Sequence, residues 1–166
     1  MSIATSIPGA DHRLILSEEE LDAAVEAFLL AEAAFWMTAD VGLEGEQAGL
    51  GRGHYRAAML LKRRPGLGVL DLSRLTGLSK QGASRVMRDL IVANYAASAT
   101  GDLDARRRPT RLTAAGEAFE RRITSRLREH LARAYRDGGM DAAPGARRIL
   151  AAMAGPRAAS RREAGE

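Results

Sequence analysis

The stretch GLSKQGASRVMRDL, residues 77–90, decides the fold because it combines a helix start, an apolar stripe and a basic face. Ser79 is a favourable residue for the N-cap of a helix. Four apolar residues then recur at helical spacing: Ala83, Val86, Met87 and Leu90. The residues centred on the opposite face are Gln81, Arg85 and Arg88, with Ser84 on its flank. The segment therefore predicts a helix that packs on one side and carries cations on the other.

Charge is strongly segregated along the 166 residues, although the net charge is only +4. Residues 14–51 contain nine Asp or Glu and no Lys or Arg. Residues 52–136 contain nineteen Lys or Arg against seven Asp or Glu, a net charge of +12. Most of these cations are Arg, which can bind phosphate in a bidentate manner. The pattern favours an anionic partner for the middle of the chain.

Several function classes are excluded or disfavoured by composition. Cysteine is absent, which excludes disulfides, thiolate catalysis and a thiol redox switch. The histidines, His12, His54 and His130, lack the spacing of metal ligands, and no catalytic set or cofactor motif is evident, so we expect neither an enzyme nor a cofactor. No apolar run is long enough for a membrane span, and the N-terminal residues lack a signal-peptide pattern. We expect a cytoplasmic protein without a membrane partner.

The remaining pattern predicts a mainly helical chain with one hairpin. Ser17 and Glu20 form a capping box that begins a first helix, which is expected to end near Ala39. Gly42, Gly45 and Gly49 are interpreted as a loop. The further expected elements are helices at 51–63, 70–76 (after an extended piece around Val69) and 79–92, strands at 95–99 and 110–112, a helix from the Thr113 cap to about 135, and a final helix capped by Asp141. Asn94 is expected in the left-handed region.

Residues 70–76, the turn Gly77-Leu78 and the helix after Ser79 describe a helix-turn-helix. The second helix of such a motif enters the DNA major groove, with its N-terminal residues at base edges. Gly82 weakens the helix by about 1 kcal/mol relative to Ala, and either close approach to DNA or sequence drift explains it. The expected DNA contacts in this helix are Ser79, Lys80, Gln81, Gly82, Ser84, Arg85 and Arg88. A solvated amphipathic helix is the alternative interpretation.

The predicted hairpin follows directly, and its tip contains the sequence DLDARRRPTR. Four arginines fall within six residues: Arg106, Arg107, Arg108 and Arg111. Such a cluster is typical of a wing that lies along the DNA backbone and inserts an Arg into the minor groove. A solvated basic loop is the alternative. A helix-turn-helix followed by a basic hairpin is a winged helix.

From about residue 50 to 119 the sequence resembles the MarR family of bacterial transcriptional regulators. The resemblance is carried by LDLSRLTGLSKQGASRVMRDL, by DLDARRRPTRLT and by LTAAGEAFE. The wing pattern of that family falls on Asp104, Arg106, Leu112, Thr113 and Gly116. Ala105 and Pro109 depart from it, since a basic and an apolar residue are usual there, so Arg107 or Arg108 could take over the phosphate contact. The segments RLILSEEELDAAVE and SKQ resemble the PetP branch.

The resemblance implies a homodimer that reads a pseudo-palindromic double-stranded DNA operator, more often as a repressor than as an activator. It also implies a small aromatic or anionic effector that binds between the dimerisation and DNA-binding parts. The candidate effector residues are Phe35, Trp36, His54, Tyr55, Arg56 and Met59. Residues of these types at such positions are more often ordinary core or interface residues, which is the alternative interpretation for each of them. The apolar faces of the first and last helices fit a dimer, although those helices could instead fold back on their own chain.

The expected fold class is mainly α with a small β-hairpin, a winged helix-turn-helix flanked by N- and C-terminal dimerisation helices. The expected segments are an irregular arm (1–16), a dimerisation helix and loop (17–49), the winged helix-turn-helix (50–113), C-terminal dimerisation helices (114–155) and a disordered tail (156–166). The leading hypothesis is a sequence-specific DNA-binding regulator. The alternative is a winged helix used as a protein-interaction module, which would favour an apolar or acidic outer face.

Overall fold

A computed structural model describes residues 16–46, 49–98 and 109–155. The predicted arm, apart from residue 16, and the predicted tail lie outside the described residues, as does the tip of the hairpin. The chain divides into two compact units, residues 1–34 and 35–166. The elements in chain order are α1 (Glu18–Leu43), α2 (Arg52–Arg63), α3 (Val69–Thr76), α4 (Lys80–Val92), β1 (Ala96–Ser98), β2 (Thr110–Leu112), α5 (Ala114–Asp137) and α6 (Ala142–Ala154).

In the first unit, the capping box predicted at Ser17 begins α1. The Ser17 hydroxyl accepts from the Glu20 backbone N–H at 3.2 Å, and the Glu20 carboxylate accepts from the Ser17 backbone N–H at 2.8 Å. These hydrogen bonds lower the pKa of Glu20 below its usual value. The large apolar side chains of this part of α1 are exposed: Leu21, Val25, Phe28, Leu29 and Leu30.

In the second unit, the core lies where α2, α3, α4 and α5 pack together. Its largest fully buried side chains are Phe119, Leu61, Leu72, Leu90 and Ile123. The rings of Tyr95 and Phe119 stack with centroids 4.9 Å apart, which packs the residue before β1 against α5. This core fixes the positions of the helix-turn-helix and of the base of the hairpin.

Two predicted boundaries of α1 and α3 are wrong. Helix α1 continues past Ala39 to Leu43, so Gly42 lies in the helix and not in the loop. A Cβ at Gly42 would lie 3.1 Å from Cγ1 of Ile123, so the missing side chain lets α1 lie close to α5. Val69, expected to be extended, is the first residue of α3, whose N-cap is Gly68.

The other boundaries agree closely with the prediction. Asn94 has φ 59°, in the left-handed region. The strands form an antiparallel hairpin in which Ala96 pairs with Leu112 and Ser98 with Thr110. Asp141 takes the N-cap position of α6 as predicted, but its side chain makes no capping hydrogen bond. Within the described residues, no helix has both the length and the apolar character that crossing a membrane requires.

Candidate nucleic-acid interface

The turn between α3 and α4 is fixed by short-range hydrogen bonds. Gly77 ends α3 at φ 74°, a conformation that glycine adopts without strain, and its N–H donates to the carbonyl of Ser73 at 2.9 Å. The Ser73 hydroxyl donates to the carbonyl of Leu78 at 2.7 Å. The small side chain at 73 therefore bridges the turn, and the two helices take the helix-turn-helix arrangement that the sequence predicts.

Helix α4 separates an apolar and a polar face. The Ser79 hydroxyl accepts from the backbone N–H of Gly82 at 3.0 Å and begins the helix as expected. The buried stripe consists of Ala83, Val86, Met87 and Leu90. The predicted DNA contacts lie outside that stripe: Ser79, Lys80, Gln81, Arg85 and Arg88 are exposed, and Gly82 and Ser84 are partly buried. The buried stripe holds α4 in place against the core. Its exposed cations and the amide of Gln81 can therefore hydrogen-bond both base edges and phosphates.

The base of the wing lies beside this helix-turn-helix. The carbonyl of Thr110 on β2 accepts from the backbone N–H of Gly66, which ties the hairpin to the segment after α2. Arg111, on β2, is exposed. The other predicted wing residues, Asp104, Arg106, Arg107 and Arg108, lie outside the described residues.

Three candidate effector residues, Phe35, Trp36 and Arg56, meet near the start of α2. The guanidinium carbon of Arg56 lies 5.9 Å from the centre of the Trp36 ring, and that of Arg52 lies 5.6 Å from it. Phe35 packs edge-on against the same ring at 5.5 Å. Arg52 also donates to both carboxylate oxygens of Asp40, at 2.9 and 2.6 Å, which lowers the pKa of Asp40. An aromatic surface with two neighbouring cations can hold an aromatic anion.

The remaining candidate effector residues have protein partners. His54 is 9% exposed, and both of its ring nitrogens lie within hydrogen-bond distance of other residues of the chain. Tyr55 is buried with its hydroxyl 3.0 Å from that of Thr124, and burial raises the pKa of this phenol. Met59 is partly buried against the core. These three residues therefore contribute to packing in the described structure.

Sequence reasoning missed two residues that the structure places in these clusters. The guanidinium of Arg52 lies over the Trp36 ring. Its position one helical turn before Arg56 on α2 was the signal that could have suggested this contact. Asp89 contacts His54 on α2 and lies four residues after Arg85, the spacing of an ion pair on one helix face. In the part of the chain that the structure describes, no three His, Asp or Glu side chains are placed to hold a metal ion.

Comparison with known proteins identifies the family. The chain is 37% identical over 152 residues to the HTH-type transcriptional regulator PetP of Rhodobacter capsulatus, over 92% of this chain and 90% of that protein. Its fold is similar to Staphylococcus aureus MarR in complex with salicylate and kanamycin (TM-score 0.65, 12% identity, 80% of this chain and 87% of the other). It is equally similar to NadR in complex with 4-hydroxyphenylacetate (TM-score 0.65, 21% identity, 78% and 90%).

No protein-family model matches the chain. The match to PetP extends over almost the whole of both proteins. The similarity to the two solved structures shows that the chain has the same fold as these regulators. The helix-turn-helix and the hairpin lie in the order that the sequence resemblance implies. The chain belongs to the MarR family of helix-turn-helix transcriptional regulators.

Proposed function

We propose that the protein is a homodimeric repressor that binds a pseudo-palindromic double-stranded DNA operator. The observation that carries the proposal is the pair of faces on α4, with its apolar stripe buried and its cations exposed. Arg85, whose side chain is 81% exposed, suits guanine, whereas Gln81 suits adenine. Arg88, further along the helix, suits a phosphate. The alternative, a protein-interaction module, fits such a basic face poorly.

The wing supplies the second contact in this proposal. Arg106 is the residue proposed to enter the minor groove, and Arg107 and Arg108 are proposed to contact the phosphate backbone. Asp104 is proposed as a DNA-binding residue because it falls in the family's wing pattern. Arg111, on β2 at the base of the hairpin, is exposed and adds a further cation to the wing. Phosphate contacts of this kind fix the register of the protein on DNA, while α4 reads the sequence.

Exposed apolar residues support the homodimer. Helix α6 buries none of its side chains, and Ile149, Leu150 and Met153 are all more than half exposed. A helix with such a face needs a partner surface in water. A twofold dimer would present two copies of α4 to half-sites about one DNA turn apart. As a DNA-binding regulator, the protein is expected in the cytoplasm, without a cofactor and without catalytic activity.

We further propose that a small aromatic anion releases the DNA by binding at Trp36, with Phe35 beside it and Met59 as a neighbouring apolar residue. Arg56 is the proposed link, because its guanidinium also donates to the carbonyl of Thr76, the last residue of α3, at 3.0 Å. An anion that attracts Arg56 would weaken this hold on the helix-turn-helix. The aromatic acids named with S. aureus MarR and NadR support this ligand class. His54 and Tyr55, which have protein partners, are proposed to shape the site.

The test is DNA binding by the full-length protein, measured on its own promoter region and on random duplex across a salt series. We expect tight binding to a discrete site, a steep decrease of affinity with salt, and loss of operator preference in Arg85→Ala and Arg106→Ala. Weak binding that is indifferent to sequence and unchanged by both substitutions would favour the protein-interaction module.

The same assay tests the effector proposal with salicylate and 4-hydroxyphenylacetate as probes. We expect either compound to release wild-type protein from its operator and to be less effective on Arg56→Lys, which keeps the charge but loses the bidentate fork. Equal release of both proteins would remove Arg56 from the proposal. Failure of both compounds to bind, measured by quenching of Trp36 fluorescence, would reject this ligand class.

A further inference from the structure

Three side chains connect the start of α2 with the exposed face of α4. His54 Nδ1 lies 3.0 Å from the backbone nitrogen of Gly51, and His54 Nε2 lies 3.3 Å from Oδ2 of Asp89. The same oxygen of Asp89 lies 3.7 Å from Nε of Arg85, one turn earlier on α4. We call His54, Asp89 and Arg85 the positioning triad. It runs from a buried histidine to a side chain that is 81% exposed.

The backbone of α2 decides which nitrogen of His54 faces Asp89 as a donor. An amide N–H can only donate, so Nδ1 of His54 accepts from Gly51 and carries no proton. In a neutral imidazole the proton then lies on Nε2, which donates to the Asp89 carboxylate. His54 is also the third residue of α2, where its backbone N–H donates to the carbonyl of Gly51 at 2.9 Å. Its ring is therefore held in one orientation.

Asp89 in turn restrains Arg85 without occupying the end of its guanidinium. The ion pair involves Nε, the nitrogen nearest the aliphatic stem. A bidentate contact with guanine O6 and N7 can use the outer edge of the guanidinium. A long side chain that is already restrained loses less rotamer entropy when it binds. Asp89 also places a negative charge near the face proposed to contact DNA. This charge repels the DNA backbone, so binding is disfavoured where Arg85 finds no base to hydrogen-bond.

We propose that His54 and Asp89 are positioning residues that make α4 selective for its operator by fixing Arg85. The inference rests on the proposed function, because it requires Arg85 to read a base. It assigns His54 a role in DNA recognition in addition to packing. It also explains why an acidic residue lies on the recognition helix of a DNA-binding protein.

The experiment uses the full-length protein and a duplex that it enriches from a randomised pool. Affinities for this duplex and for a scrambled duplex of the same composition are compared in wild type, Asp89→Asn, His54→Gln and Arg85→Ala. We expect Asp89→Asn and His54→Gln each to lower the ratio of the two affinities about threefold, the size of effect that an exposed ion pair allows. Arg85→Ala should lower it about tenfold, within the range that one bidentate base contact supplies. Scrambled-duplex binding should be unchanged or stronger in Asp89→Asn, because a negative charge is lost.

Two features of the design separate positioning from folding. Gln at the third helical position is a usual capping-box residue, so His54→Gln keeps an acceptor for Gly51. In an Arg85→Ala background, neither Asp89→Asn nor His54→Gln should lower the ratio further. The matched control is Asp71→Asn on α3, which removes an ion pair to Arg74 that is also 3.7 Å long and should leave the ratio unchanged.

An unchanged ratio in Asp89→Asn would overturn the inference while leaving the proposed function intact. An equal loss in the Arg85→Ala background would also overturn it, because the effect would then not pass through Arg85. If His54→Gln fails to fold, the result for the partly exposed Asp89 decides. If the protein enriches no duplex at all, the proposed function fails and this inference fails with it.

Discussion

Gly116, the third residue of α5, lies directly against the backbone that leads into the hairpin. A Cβ at this position would lie 1.8 Å from the carbonyl oxygen of Tyr95 and 2.8 Å from its carbonyl carbon. The same carbonyl oxygen accepts from the backbone N–H of Thr113 at 3.1 Å, so it cannot move without breaking the junction between β2 and α5. The side chain is absent because the two segments pass so closely.

We therefore expect Gly116→Ala to lower the free energy of unfolding by about 3 kcal/mol or more, at the upper end of overpacking costs. Urea unfolding followed by circular dichroism measures the change. Gly145→Ala on α6 is the control, since no atom outside its own helix lies within 4 Å of its Cβ position. That change should be neutral or stabilising by less than about 1 kcal/mol. Equal stabilities of the two variants would contradict the close approach.

Glycines also show how far sequence reasoning reaches at single residues. The family's wing pattern selected Gly116, although the steric reason for glycine became evident only from Tyr95. Asn94 was predicted in the left-handed region from local chemistry alone, and its φ confirms it. The loop that the sequence predicts at Gly42 is wrong, because glycine is favoured there by the close approach of Ile123. That contact is distant in sequence and has no local pattern.

At the scale of elements, α4 and α5 begin with the same device. The Ser79 hydroxyl accepts from Gly82 at 3.0 Å, and the Thr113 hydroxyl accepts from Gly116 at 3.1 Å. Sequence predicted both caps because Ser and Thr are preferred where a helix begins. The same rule predicts Asp141 as the N-cap of α6, yet its side chain makes no such bond. Residue type alone indicates the position of a cap but does not guarantee the hydrogen bond.

We expect Ser79→Ala to cost about 1 kcal/mol of unfolding free energy. It should also weaken operator binding about fivefold, the equivalent of that energy, because the start of α4 is proposed to enter the groove. Thr113→Ala is the control. It should cost at least as much stability, because this hydroxyl also donates to the carbonyl of Asn94 at 2.7 Å, but it should change operator affinity little. The two quantities are measured by urea unfolding and by fluorescence anisotropy on labelled DNA. Equal losses of affinity would mean that the cap at Ser79 acts through overall stability.

A buried polar network joins α2 to α5. Lys62 donates to the carboxylate of Glu120, whose side chain is only 4% exposed. The hydroxyl of Thr124 donates to the same carboxylate at 2.6 Å and lies 3.0 Å from the hydroxyl of Tyr55. Burial by itself would raise the pKa of Glu120, but the hydrogen bonds from Lys62 and Thr124 outweigh it and lower the pKa below 4.5. Glu120 therefore stays charged inside the protein.

We expect Glu120→Gln to destabilise the protein by about 2 kcal/mol at neutral pH, the size of a hydrogen bond to a charged group. The folded pKa of Glu120 is lowered, so its contribution is fully present above the usual value of 4.5 and decreases as pH falls towards the folded pKa. The difference between wild type and variant should therefore shrink below pH 4.5. Urea unfolding of both proteins across acidic pH measures it.

Asp40→Asn is the control for this prediction, because Asp40 also pairs with an α2 cation, Arg52. Both side chains of that pair are nearly half exposed, at 44% and 48%. Solvent screening limits such a pair to less than about 1 kcal/mol. A loss in Asp40→Asn as large as that in Glu120→Gln would show that burial does not distinguish the two ion pairs.

The network also marks a limit of sequence reasoning at this scale. Phe119, Ile123 and Leu127 recur at helical spacing in the sequence of α5, which places them on one apolar face, and these residues are buried. Glu120 and Thr124 lie next to that stripe and would ordinarily be assigned to solvent. Their burial depends on Lys62 and Tyr55 arriving from α2, and a charge pairing between distant helices cannot be derived from the periodicity of either one.

For the whole molecule, the segregation of charge separates two roles along the chain. Residues 14–51 carry acidic residues without any Lys or Arg, whereas residues 52–136 have a net charge of +12. DNA attracts the second segment and repels the first. The first segment nevertheless exposes apolar residues such as Phe28 and Leu29 on α1. Acidic and apolar together, α1 is suited to contact protein, which leaves DNA to the winged helix.

The substitution Leu150→Glu on α6 tests the homodimer. Leu150 is 53% exposed in the single chain, and a glutamate there should prevent a second apolar surface from packing on it. We expect sedimentation to show a monomer. Because two linked half-sites then become two separate weak ones, operator affinity should fall about a hundredfold.

The matched control for sedimentation is Leu70→Glu on α3, where a leucine that is 61% exposed belongs to the winged helix. This variant should remain dimeric, since α3 lies in the DNA-binding part and not in the proposed interface. A Leu150→Glu protein that sediments as a dimer would place the interface elsewhere than on this face of α6. Because the variant leaves α4 unaltered, a monomer that keeps full operator affinity would contradict the requirement for two half-sites.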